Sequence, residues 1–107
     1  MQIRGLHWDD DDDPEGNVQH ISRHDVVPSE VAEVLEGAPE FFVVEPASDH
    51  RNPYYLALGY TVQGRLLEVW GVLYQSPPLD HYWHTATAMD ARPRWRREYQ
   101  RMKGVRE

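Results

Sequence analysis

Residues 8–35, WDDDDDPEGNVQHISRHDVVPSEVAEVL, decide how the rest of the chain is read. The run Asp9 to Asp13 is followed by Pro14, Glu15 and Gly16, so mutual repulsion and two breakers predict a solvated acidic loop over 9–16. Asn17 suits a helix N-cap, and Val18 and Ile21 fall on one face at i, i+3, which predicts a short helix reaching His24. Pro28 then opens a second helix in which Val31, Val34 and Leu35 form an i, i+3, i+4 stripe, ended by Gly37. The two helices are expected side by side.

Working outward, Gln2 to Trp8 puts Leu6 and Trp8 on one side by alternation, which predicts a short edge strand. Downstream the period changes. Phe41 to Glu45, Tyr54 to Val62, Leu66 to Tyr74 and Tyr82 to Met89 are rich in aromatic and β-branched residues and read as strands. Gln63-Gly64 makes a tight hairpin, Pro46 to Pro53 a longer polar connection, and Gln75 to Pro78 a break before the last strand. Pro93 starts a final helix with Trp95, Tyr99 and Met102 at i, i+4, i+7, closed by Gly104. The expected fold is a single α+β domain over 1–107, in β-α-α-β-β-β-β-α order, with a small antiparallel meander.

At 107 residues one layered core suffices for stability. The absence of cysteine excludes disulfides, thiolate metal sites and cysteine nucleophiles. Apolar stretches fall far short of the roughly 20 residues needed to span a bilayer, and no leader pattern opens the chain, so a cytoplasmic protein is expected. The net charge of −7 is unevenly laid out: residues 1–50 carry two basic residues against 13 acids, residues 51–107 nine against five. Only the last 17 residues, at +5, have the electrostatic footprint of a polyanion binder. Arg92, Arg94, Arg97, Arg101 and Lys103 are the expected phosphate contacts, with Trp95, Tyr99 and Met102 as the helix's buried stripe.

His20 and His24, four apart on a helix, point the same way but lack a local third ligand. His81 and His84, three apart on a strand, point to opposite faces. The aspartate run also fails as a calcium loop, since its sixth position is Pro14 and its twelfth His20. Neither a metal nor another cofactor is expected. A phosphate-mimicking role for the run, on the chain's own basic surface or a partner's, is the alternative to a solvated loop. Metal-free RNA cleavage needs a base, a cation and an acid. His24, His84 and Tyr99 supply the first and last in kind, Arg65, Arg96 and Arg97 the second.

Trp8-Asp9, Asn17, His24, Glu30, Glu33, Gly59, Gly64-Arg65, Thr87-Ala88, Arg96-Arg97 and Tyr99 stand in an order that resembles the BrnT family of type II toxins, small ribonucleases with a RelE-like fold. The resemblance covers nearly the whole chain and implies a metal-independent ribonuclease held by an antitoxin protein. The site it implies comprises His24, Arg65, His84, Arg96 and Tyr99. The chain departs from the family at Asp25, where a glycine follows the histidine, at Met89 and His84, where arginines stand, and at Trp95, where a glutamate stands. Losing one preorganised cation costs about 3–4 kcal/mol of transition-state stabilisation. A catalytically degenerate RelE-fold module that binds protein through its acidic half is therefore the second expectation.

Overall fold

A computed structural model describes residues 1–44 and 52–104. Eight elements follow in the expected order: β1 (Gly5–Leu6), α1 (Asn17–Ser22), α2 (Pro28–Glu36), β2 (Glu40–Val43), β3 (Tyr54–Tyr60), β4 (Leu66–Leu73), β5 (Tyr82–Asp90) and α3 (Pro93–Met102). The fold is α+β, with one five-stranded sheet ordered β1-β5-β4-β3-β2. The expected strand residue Glu45 and most of the Pro46 to Pro53 connection lie outside the described residues.

β2 to β5 form the antiparallel meander, with Leu56 opposite Trp70 and Val69 opposite Ala88. β1 is the expected short edge strand. It pairs parallel to β5, Gly5 against Tyr82 and Leu6 against Trp83, so the sheet is mixed. The first strand thus closes on the last, a pairing that no local signal announces.

The sheet is covered on both faces. Ala57, Val69, Trp83 and Ala88 face Ile21, Val26, Val31 and Val34, all fully buried, so α1 and the α1–α2 turn lie against β5 and α2 against β3. On the other face Trp95 of α3 meets the rings of Phe42 and Trp70. This double covering explains why β4, LLEVWGVL, reads as a nearly continuous apolar run and not as a strict alternation. Between Trp70 and Gly71 the register shifts by one, leaving Ala86 as a bulge. A Cβ at Gly71 would meet the His84 carbonyl oxygen at 2.6 Å and the Trp83 ring at 2.7 Å, so the backbone and tryptophan of the neighbouring strand together require glycine there.

Turn chemistry follows the sequence at most joints. Gly64 takes φ 89° in the β3–β4 hairpin, where the Arg65 N–H donates to Thr61 Oγ1 at 3.0 Å. Glu30 accepts from the Val27 N–H at 3.1 Å and so caps α2. Asn17 departs from expectation. Gly16 caps α1, and Asn17 is instead a buried staple: its amide nitrogen donates to Thr85 O at 3.1 Å and His7 O at 3.4 Å, and its side-chain oxygen accepts from the Asp9 N–H at 2.9 Å. α1 ends at Ser22, which leaves His24 in the following turn.

Candidate functional site

The residues proposed from the sequence fall in three groups, two of which, around Arg65 and on α3, adjoin at the end of β5, where Arg65 bonds Asp90 and Arg96 bonds the next residue, Ala91. The first is the junction of the β3–β4 hairpin with the α1–α2 turn, built around Arg65. Its Nε donates to Asp90 Oδ1 at 2.7 Å, and its Nη1 to both oxygens of Glu30, at 3.0 and 3.1 Å, and to Asp25 O at 2.6 Å. Its Nη2 donates to His24 O at 3.2 Å. Arg65 is held in its charged form above its ordinary range, first by the hydrogen bond to Asp90 and then by Glu30. Two carboxylates and two carbonyls occupy this guanidinium, which fixes the turn to the sheet. His24 contributes its carbonyl here, while its ring stands edge-on to His20 at 5.7 Å.

The second place is the upper end of β5. His84 lies with its Nε2 3.7 Å from Asp9 Oδ2, and its ring is 5.3 Å from that of His7 and 5.9 Å from that of Tyr74. One donor atom from each of His7, Asp9 and His84 lies within 4.8 Å of the others. The main-chain N–H of Asn17 donates to Asp9 Oδ2 at 2.8 Å. That bond is the main reason the Asp9 carboxyl sits below its usual range, with His84 and His7 adding to it. From His84 to Asp90, the partner of Arg65, the strand advances six residues, about 20 Å. His84 and Arg65 therefore lie at opposite ends of β5.

The third place is α3, across the sheet. Arg96 donates from Nε to Ala91 O at 3.1 Å, and Tyr99 stands edge-to-face on Tyr60 at 5.5 Å. Trp95 and Tyr99 form the expected half-buried stripe, but Met102 is exposed. Three of the five expected phosphate contacts already have carboxylate partners: Arg92 with the fully buried Glu68 at 2.7 Å, Arg101 with Glu98, and Lys103 with Glu40 at 2.9 Å. Arg94 covers the Trp95 ring at 4.6 Å, and neither it nor Arg96 nor Arg97 forms an ion pair among the described residues.

The acidic loop folds back on α1 and does not mask this helix. Gln19 donates to Asp11 O, Arg23 to Pro14 O, and no ion pair among the described residues joins Asp9 to Asp13 with α3. A cavity of about 360 Å³ between β1, α2 and β2, lined by Ile3, Leu6, Leu35 and Phe41, contains none of the residues proposed from the sequence. The sequence reading missed His7 altogether and took Asp9 as one more loop aspartate, because the third member of their group, His84, stands 75 residues from Asp9. Among known proteins the chain matches no family model, and neither curated proteins nor solved structures give a significant match.

Proposed function

We propose that this chain is a BrnT-like toxin component that acts on RNA in the cytoplasm, with RNA docking along α3. The observation that carries the reading is the surface of that helix. Arg94, Arg96 and Arg97 are exposed and form no ion pair among the described residues, and Tyr99 and the exposed Tyr60 lie beside them. Arginines neutralise phosphates while aromatic rings stack on unpaired bases, the combination that single-stranded RNA recognition uses. Arg96 and Tyr99, neighbours at i and i+3, are the part of the proposed catalytic set on this surface. There they supply a cation for the phosphorane charge and a phenol for proton transfer, without a metal. The resemblance to BrnT supports an antitoxin partner, and an arginine face suits an acidic one.

A second reading, a catalytically degenerate RelE-fold module that binds protein through its acidic half, is favoured by one observation. The Arg65 guanidinium is saturated by Glu30, Asp90 and two carbonyls, so it is not poised for a phosphorane. Incubation of the purified chain with single-stranded RNA in EDTA separates the two. Cleavage that Arg96→Ala abolishes establishes the ribonuclease; binding without cleavage keeps RNA on α3 but removes the catalytic reading; neither binding nor cleavage favours the protein-binding module.

A further inference from the structure

His7 and Asp9, two residues apart, and His84, 75 residues further on, come from two stretches of chain, and each is fixed by the backbone that carries it. The His7 N–H donates to Trp83 O at 2.9 Å, extending the β1–β5 pairing by one residue. Asp9 is clamped by reciprocal bonds with Asn17, which itself hangs from Thr85 O. His84 sits in the ladder opposite Val72. Three side chains are thus brought to one point without depending on the rest of the acidic loop. The His7 ring bears the only buried side-chain nitrogen or oxygen without a hydrogen-bond partner among the described residues, Nδ1. A polar atom left so is costly unless a ligand completes it.

We propose that His7, Asp9 and His84 bind a divalent cation of the zinc class. Tetrahedral coordination with bonds of about 2.1 Å places donor atoms about 3.4 Å apart. Here Asp9 Oδ2 and His84 Nε2 are 3.7 Å apart, and all three donors fall within 4.8 Å, so small side-chain rotations close the site. Two imidazoles and one carboxylate select a borderline ion such as zinc over magnesium or calcium, which require mostly oxygen donors. Asn17 is the outer partner that orients the carboxylate. Three protein donors leave a fourth position for water, with the Tyr74 ring, 6.0 Å from His7 and 5.9 Å from His84, forming the wall beside it.

The test is zinc chloride titrated into the full chain by calorimetry and thermal melting, without RNA, so its failure leaves the reading of α3 untouched. One zinc per chain is expected, with a melting temperature raised by about 10 °C when free zinc exceeds Kd 100-fold. His84→Ala and Asp9→Asn are each expected to weaken binding on the order of 100-fold. The asparagine retains an oxygen to accept from Asn17, so folding is preserved there even if the alanine variant unfolds. His20→Ala is expected to bind as the parent does. Cobalt in place of zinc is expected to give the intense visible bands of a four-coordinate ion, lost in Asp9→Asn. No zinc binding, equal binding in Asp9→Asn, loss in His20→Ala, or preference for calcium overturns the proposal.

Discussion

Arg65 grips Glu30 with both carboxylate oxygens within 3.1 Å of one guanidinium nitrogen, joining the β3–β4 hairpin to the first turn of α2. Glu30 also caps that helix, and Asp90 holds the other side of the same guanidinium. Both Arg65 and Glu30 are three-quarters buried as side chains, so the charges are poorly screened. Arg65→Ala is expected to lower unfolding stability by about 2–3 kcal/mol, because it strands two carboxylates and two carbonyls. Arg65→Lys is expected to recover little of this, since an ammonium cannot span the planar fork. Urea unfolding measures both. A purely catalytic role would leave the midpoint in place.

Glu68 is expected to make the fold sensitive to acid. Burial pushes its carboxyl pKa up, but hydrogen bonds from the Arg92 side chain and N–H and from Trp70 Nε1 outweigh this and hold it below the ordinary 4.5. A carboxyl depressed in the folded state contributes stability that is fully present above its ordinary value and is lost as pH falls through the lower, folded value. Urea midpoints are therefore expected to be insensitive to this group between pH 5 and 8 and to fall below about pH 4.5. Glu68→Gln is expected to be less stable at neutral pH, on the order of 2 kcal/mol, with the gap to the parent narrowing in acid. A constant gap down to pH 3 would place the acid sensitivity elsewhere.

The element order was legible because periodicity is local: the stripe Val31, Val34, Leu35 and the hairpin at Gly64 each need only a few neighbouring residues. What remained hidden depends on partners far along the chain. β1 is two residues long, and only its pairing with Tyr82 and Trp83 makes it a strand. Asn17 looks like a cap until Thr85, 68 residues away, claims its amide. Arg65 has a cation's chemistry for catalysis and for structure alike, and only Asp90 and Glu30, 25 and 35 residues distant, decide its occupation. The bulge at Ala86 shifts the pairing of β5, so residue parity alone does not carry a face assignment from His84 to residues beyond it.

Asp25 holds φ at 59°, in the left-handed region, in the turn between α1 and α2. A side chain there costs roughly 1–2 kcal/mol, less for aspartate than for most residues. Asp25→Gly keeps the carbonyl that Arg65 grips while relieving the strain. Against the larger entropy of glycine in the unfolded chain, a net gain of about 0.5 kcal/mol is expected, seen as a melting temperature higher by about 2–4 °C. Asp25→Val, β-branched and unable to bond locally, is expected to lose stability. Equal melting of the two variants would show that the turn does not impose this conformation in solution.

The proposal that RNA docks on α3 makes a quantitative demand on salt dependence. Each phosphate contact to a single strand contributes about 0.7 to the slope of log affinity against log salt. Arg94→Ala and Arg97→Ala are each expected to lower that slope by about 0.7 and to weaken binding similarly for unrelated sequences, because phosphates carry no base identity. Arg101, already paired with Glu98, is expected to contribute less. Arg92→Ala is expected to act through folding, since it leaves the buried carboxylate of Glu68 without its cation. Tyr99→Ala is expected to weaken binding without altering the slope, by the roughly 1–3 kcal/mol of a lost base-stacking ring. Fluorescence anisotropy with a labelled oligonucleotide, from about 50 to 200 mM salt, reads all five variants. A slope that none of the α3 arginines changes would move the docking surface off this helix.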